Sequence, residues 1–276
     1  MSLLAVDIGN TSTTLGFFDE QGTLRHRFDI PTRTLTHRAL THETLDAPLA
    51  PLGKPVTIGI ASVVPWASDE LIVVLHEIYP DATVLVISSS NLPLQIRYPH
   101  PEELGTDRLL GALAAFRLFG EREHRPCIVI DLGTATTYDC ITSDGVFLGG
   151  AIAPGLELSA EALAQRASQL PSIALSFPDN VIGQTTVESM QSGVLFGGVA
   201  AIEGMIERLR QAAFPEERPI VIATGGLSKL IEGRTQAFTH VDPALVLEGI
   251  RIAAELSAEQ ASESEELVDT TNTIKL

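Results

Sequence analysis

Apolar runs and helical periods alternate along the chain. Leu3 to Val6, Thr13 to Phe18, Val56 to Val63, Thr83 to Ile87, Cys127 to Ile130, Thr136 to Thr142, Val146 to Ala153 and Pro219 to Thr224 read as strands. Among the helices, Ser68 is placed to cap one whose first turn carries Asp69 and Glu70, as a helix dipole prefers. A second runs from about Thr106 to Phe119, and a third follows Pro154 and Gly155. A long fourth spans Thr186 to Phe214, where Gly193, Gly197, Gly198 and Gly204 permit close packing against a neighbour. Strands alternating with helices predict an α/β fold.

One pattern occurs twice. Leu3 to Val6 followed by Asp7, Ile8, Gly9, Asn10 and Thr11 is echoed by Cys127 to Ile130 followed by Asp131, Leu132, Gly133, Thr134 and Ala135, displaced by 124 residues. Each copy is an apolar run, an acid, a Gly two residues on, a small polar segment and a second strand. The spacing predicts two related halves, 1–120 and 121–254, each opening with such a hairpin, and an acidic tail at 255–276 that its charge and lack of aromatic residues mark as a frayed, solubilising end.

The chemistry of these turns is that of anion binding. Backbone N–H groups and hydroxyls at a tight Gly turn can wrap phosphate oxygens, while the carboxylate holds a divalent cation or its waters. Either copy alone reads first as an ordinary hairpin; two with matching chemistry predict a pair of phosphate loops across a cleft. Gly225 and Gly226, at a strand-to-helix junction, would let the backbone approach an adenine or ribose. Gly105, Thr106, Asp107 and Arg108 open a helix. By position Asp107 reads first as a dipole partner paired with Arg108. The same acid, base and close-approach Gly beside a Pro-rich loop also meet the needs of a kinase site, where a carboxylate takes the proton of an acceptor hydroxyl.

Composition and charge narrow the classes. The chain is 45% hydrophobic and 19% charged, which fits a folded protein and excludes low-complexity or collagen-like chains. A net charge of −17 repels polyanions. The densest basic stretches, Arg25 to Arg27 and Arg33 to Arg38, are interrupted by Asp29 and apolar residues and read as solvated loop and helix faces, so no nucleic-acid partner is expected. No apolar run approaches a bilayer span and no basic segment precedes the first one, which predicts a cytoplasmic protein without a membrane partner. Cys127 and Cys140 sit in apolar segments and are expected as buried free thiols. His37 and His42 are spaced wrongly for a zinc pair on one helical face.

Taken together, Asp7 to Thr11, Tyr98 with Gly105 to Arg108, Asp131 to Thr136, Gly149 to Gly155, Thr186 to Gly193 and Thr224 to Gly226 resemble type III pantothenate kinases. The likeness runs in order from about residue 3 to 254. It implies a duplicated ribonuclease H-like (actin-like ATPase) fold of two similar domains, each a mixed sheet flanked by helices, with ATP in the cleft between them. It implies ATP-dependent phosphorylation of the primary hydroxyl of pantothenate, the first step toward coenzyme A, in a homodimer that uses Mg²⁺ and a monovalent cation, K⁺ or NH₄⁺. By the same resemblance Asp107 is the proton acceptor. Asp7, Ile8, Gly9, Asn10, Thr11, Ser12, Thr13, Thr14, Thr134, Gly225 and Gly226 contact ATP, and Tyr98, Gly105, Thr106, Asp107, Arg108 and Thr186 contact pantothenate. Asp131 holds K⁺, and Asp7 holds Mg²⁺ through water. Thr185 stands where the family often has Asn, and Pro99 and His100 where Asp and Asn are common, which bears on the shape of the substrate pocket. Two other readings remain: a sugar or acetate kinase of the same superfamily, and a non-catalytic transcriptional accessory regulator. The presence of Asp7, Asp107 and Asp131 together weighs against the latter. Because ATP and pantothenate are both anionic, binding to so acidic a chain must rest on local donors, Arg108 and bound cations.

Overall fold

The computed structural model describes residues 2–35 and 50–273. The chain divides into two compact units, one made of Met1–Leu94, His100–Ala114 and Val246–Leu276, the other of Gln95–Pro99 and Ala115–Leu245. The division follows contacts rather than a single cut near residue 120. The short stretch Gln95–Pro99 is lent to the second unit, and the C-terminal helix belongs to the first.

In the first unit β1 (Leu3–Ile8) pairs antiparallel with β2 (Ser12–Phe18), and β2 with β3 (Leu24–Pro31), while β4 (Thr57–Ser62) and β5 (Thr83–Ile87) add in parallel on the other side of β1. The sheet order is β3-β2-β1-β4-β5. One face carries Leu4, Val6, Ile8, Leu15, Phe17, Ile58 and Ile60, buried against Leu71, Leu75 and Ile78 of helix α1 (Pro65–Ile78). On the other face Ala5 lies in register with Gly16 and Gly59. This row of small residues lets Leu247 and Ile250 of the C-terminal helix press onto the sheet.

The second unit repeats that order. Strands β7 (Cys127–Leu132), β8 (Ala135–Ile141) and β9 (Val146–Pro154) form the antiparallel part, with β10 (Ile220–Thr224) and β11 (His240–Val241) parallel to β7. The order β11-β10-β7-β8-β9-β6 is the first sheet with one strand added, the two-residue β6 (Gln95–Ile96), parallel to β9. Its core sets Ile128, Ile130, Leu132 and Tyr138 against Leu195, Val199, Ile202 and Ile206.

Helix α2 (Thr106–Ala115) passes into a π turn at Phe116–Gly120 and ends at Glu123. Helices α3 (Leu156–Arg166), α4 (Thr186–Ala213), α5 (Ser228–Glu232) and α6 (Leu245–Thr273) follow.

Several expectations change. Helix α1 begins at Pro65, not after Ser68, because a proline at the first helical position has a fitting φ and no N–H to lose; Ser68 is buried inside the helix. Arg25 to Arg27 lie on the edge strand β3 rather than a loop. The segment from Glu255, expected to fray, continues α6 as far as Thr273, in keeping with its Ala, Glu and Gln content. Of the four glycines in the long helix α4, only Gly198 is approached closely, by Leu156. His37 and His42, and positions 36–38 of the stretch from Arg33 to Arg38, lie outside the described residues. Cys127 and Cys140 are buried free thiols, as expected.

Candidate active site

The two predicted phosphate turns are built alike. Strands β1 and β7 share one burial pattern, with only the acid, Asp7 or Asp131, partly exposed. Asp7 faces Thr14 across its hairpin and Asp131 faces Thr137. Gly9 N–H donates to the Ser12 carbonyl at 3.0 Å, and Gly133 N–H to the Ala135 carbonyl at 3.1 Å. The second turn is thus one residue shorter.

The first turn is held by side chains. Thr32 Oγ1 donates to the Gly9 carbonyl at 2.7 Å. That uses the one hydroxyl proton of Thr32, so the buried Thr13 hydroxyl, 3.0 Å away, is the donor between the two. Thr14 Oγ1 donates to Asp29 Oδ1 at 2.5 Å. Asn10, Thr11 and Ser12 remain exposed at the lip of a cavity of about 610 Å³ shared with Asp29, Ile30, Pro31 and Arg33.

The second turn is held by backbone. Gly155, which precedes α3, donates its N–H to the Thr134 carbonyl at 3.1 Å, and a side chain there would collide with the carbonyl oxygens of Gly133 and Thr134. Gly225, at φ +86°, lies against the Asp131 carboxylate and the Leu132 backbone, where only glycine fits in both conformation and space. Gly226 has open space beside it. Thr224, buried, is in register with Asp131 on the neighbouring strand.

The tetrad stands in the first unit. Asp107 lies in the first turn of α2 and its Oδ1 accepts the Arg108 N–H at 2.9 Å; its second oxygen has no hydrogen-bond partner among the described residues. A side chain on Gly105 would collide with that carboxylate. The Cβ position of Gly105 is 3.8 Å from Val63, whose N–H donates at 3.1 Å to the carbonyl of Ile8 in the first hairpin. Hairpin and tetrad are therefore near neighbours. Asp107 consequently combines the dipole position expected of it with a carboxylate oxygen left open to accept a proton.

Tyr98 belongs to the second unit. Arg97 N–H donates to the Phe147 carbonyl at 2.9 Å, extending the β6 pairing, and the Tyr98 ring then lies 3.3 Å from where a Cβ of Gly149 would be. Thr186 is the first residue of α4. Its neighbour Thr185 caps the helix, accepting from Glu188 N–H at 3.2 Å, while Glu188 Oε2 accepts from Gln184 N–H at 2.7 Å. Thr185 is therefore accounted for by helix capping. Thr186 also lines a groove of about 780 Å³ with Leu156, Leu163, Met190 and Val194.

So Asp7 to Thr14 and the Gly105 to Arg108 tetrad are grouped in one unit, and Tyr98, Asp131, Thr134, Thr186, Gly225 and Gly226 in the other. Sequence reasoning missed Thr32, Arg33 and Thr137. Arg33 reads as a solvated base, Thr32 matters only through its bonds to the distant first turn, and Thr137 only through the acceptor that the facing strand lacks. Among the described residues no three His, Cys, Asp or Glu side chains gather as a metal cluster, and no helix is long and apolar enough to cross a membrane. A cation would have to be held by single carboxylates with hydroxyl, carbonyl and water oxygens. The second turn fits that need, with Asp131 pressed by Gly225 and a buried Thr137 Oγ1 that has no partner among the described residues.

A family model described as type III pantothenate kinase matches residues 3–208. A type III pantothenate kinase of Myxococcus xanthus is 37% identical over 259 residues, covering 91% of this chain and 96% of its own length. One from Syntrophotalea carbinolica is 38% identical over 254 residues, covering 91% and 97%. Among solved structures, an archaeal actin homologue, Ta0583, superposes with a TM-score of 0.51 at 15% identity, covering 92% of this chain and 99% of that one. An inorganic polyphosphate/ATP-glucomannokinase from an Arthrobacter strain gives 0.50 at 18%, covering 94% and 99%. The structural likenesses establish the actin-like fold, as the duplicated strand order requires.

Proposed function

The chain belongs to the type III pantothenate kinase family and is a kinase that phosphorylates pantothenate in the first step of coenzyme A biosynthesis; from that premise we propose how its own residues divide the work. Asp107 accepts the proton of the primary hydroxyl as that oxygen forms its bond to the γ-phosphorus of ATP and the bond to the ADP oxygen breaks. The observation that carries this is the asymmetric anchoring of Asp107, one oxygen fixed by the Arg108 N–H and the other open. Tyr98, Gly105, Thr106, Arg108 and Thr186 bind pantothenate, with the Arg108 guanidinium offsetting its carboxylate. Asp7 to Thr14, Thr134, Gly225 and Gly226 bind ATP.

Mg²⁺, held at Asp7 through water, and a monovalent cation, K⁺ or NH₄⁺, at Asp131 would supply positive charge beside the phosphates when bound. The residues themselves position those phosphates with hydroxyls and backbone N–H groups. We further propose a homodimer in the cytoplasm. Its support is the apolar groove between α3 and α4, lined by Leu156, Leu163, Met190 and Val194, where Gly193 and Gly197 face open space. A second copy of the chain covers this face in the proposal, and sedimentation at micromolar concentration tests it. A dimer mass is expected, and a monomer would remove the claim.

The catalytic assignment is tested with Asp107→Asn, which keeps the Oδ1 acceptor for the Arg108 N–H but not the basicity. Turnover should fall by about 10²–10⁴ with the melting temperature unchanged. Near-normal turnover in the folded variant would sink the assignment.

A further inference from the structure

Thr14 and Thr137 hold the same place in their hairpins, each opposite the acid of the preceding strand. They differ in what the third strand offers. Facing Thr14 is Asp29, which accepts its hydroxyl proton; facing Thr137 is Ile152, which has no acceptor in its side chain. Thr137 Oγ1 is buried and has no hydrogen-bond partner among the described residues. An unsatisfied buried hydroxyl costs about 1–3 kcal/mol, so its persistence calls for an occupant. Residues directly opposite in an antiparallel pair project from the same face with Cβ atoms about 4.5–5.5 Å apart, so the Thr137 and Asp131 side chains leave the sheet as neighbours on one face.

We propose that Thr137 Oγ1 is a second protein ligand of the monovalent cation assigned to Asp131, an inference that rests on that assignment. One carboxylate balances a single positive charge, and a neutral hydroxyl supplies a further hard oxygen without adding charge. Mg²⁺ suits this set less well, since it requires a near-ideal octahedron and keeps several of its own waters. The same Asp-to-Thr arrangement in the first hairpin is closed by Asp29, which marks the second hairpin as the one built to leave the hydroxyl available.

The test compares Thr137→Val, Thr137→Ser and Asp131→Asn in the full-length protein saturated with Mg²⁺ and a non-hydrolysable ATP analogue. Thermal stabilisation by KCl is measured against choline chloride at matched ionic strength, and the K⁺ concentration for half-maximal kinase activity is measured with ATP. Thr137→Val should raise that concentration about tenfold or more and lose most of the K⁺-dependent stabilisation, while Thr137→Ser keeps both. In choline, Thr137→Val should be at least as stable as wild type, because it deletes an unpaired hydroxyl. A Thr137→Val protein that follows K⁺ like wild type while Asp131→Asn does not would overturn the role of Thr137 alone. If neither variant alters the K⁺ response, the cation assignment falls with it. A loss of stability of Thr137→Val in choline would show the hydroxyl already satisfied and overturn the proposal as well.

Discussion

The two hairpins proposed to bind phosphate make the same closing hydrogen bond and support it by opposite means. Thr32 N–H donates to the Thr11 carbonyl at 3.0 Å, and Gly155 N–H to the Thr134 carbonyl at 3.1 Å, each donor following a proline that ends the third strand. In the first unit the donor's side chain then reaches back to Gly9 and Thr13, so the turn is braced by hydroxyls. In the second the donor has no side chain, the backbones press together, and an eleven-residue helix starts at once at Leu156. Side-chain bracing degrades gradually when atoms are removed. Backbone contact fails abruptly when atoms are added, because carbonyl oxygens cannot rotate away. The difference predicts opposite mutational sensitivities at equivalent positions.

Gly155→Ala should have the largest effect. The added methyl would collide with two backbone carbonyls of the turn that holds Thr134, so the turn must move. We expect a stability loss of about 3 kcal/mol and a fall in kcat/KM of about a hundredfold, as follows when a binding element shifts by about an ångström. Chemical denaturation and steady-state kinetics measure the two. An alanine variant with wild-type kinetics would break the comparison, since the second turn would then be as tolerant as the first.

Thr32→Ala removes atoms at the matching position. It deletes the bond to Gly9 and leaves the Thr13 hydroxyl without its acceptor, while the backbone N–H bond to Thr11 survives. The expected loss is about 1–3 kcal/mol, with a rise in the KM for ATP and little change in kcat. A larger loss than that of Gly155→Ala would invert the ranking and show that the hydroxyl brace, not the backbone, sets the sensitive turn.

Legibility in the sequence followed the range of the interaction. The duplicated hairpin was readable because each copy is local: an apolar run, an acid, a Gly and hydroxyls within a dozen residues. The topology confirms it, since β9-β8-β7-β10-β11 repeats β3-β2-β1-β4-β5. Strand β6 was not readable, as two residues in a Pro-rich loop carry no period and form a strand only by pairing with β9, yet that pairing stations Tyr98 over Gly149. Strand β3 was hidden because an edge strand with Arg25, His26 and Arg27 lacks an apolar run. In the site, Asp7, Asp107 and Asp131 stood out by position. Thr137 did not, because the absence of a hydrogen-bond partner is decided by Ile152, fifteen residues away on another strand.

The smallest effect separates the cores beneath the two hairpins. The chain places Cys127 where the first unit has Leu3, and Cys140 where it has Phe17, so thiols serve in the second sheet as small apolar groups. Burial pushes both thiols up to about 12, with Asp139 adding to the rise at Cys140 and Arg125 opposing it at Cys127. A thiol in the unfolded chain, near 9, ionises first, so the native state binds more protons above that pH and stability falls as pH rises from about 9 toward 12. Between pH 7.5 and 9 the two thiols together should cost under about 1 kcal/mol. Urea unfolding of wild type and of Cys127→Val/Cys140→Val at the two pH values isolates the difference, which should appear as a shallower alkaline decline in the variant. Equal declines would mean that these thiols ionise as easily folded as unfolded. The strands carrying Asp131 and Thr137 would then be more open to solvent than their first-unit counterparts, and the likeness of the two cores would end at their strand order.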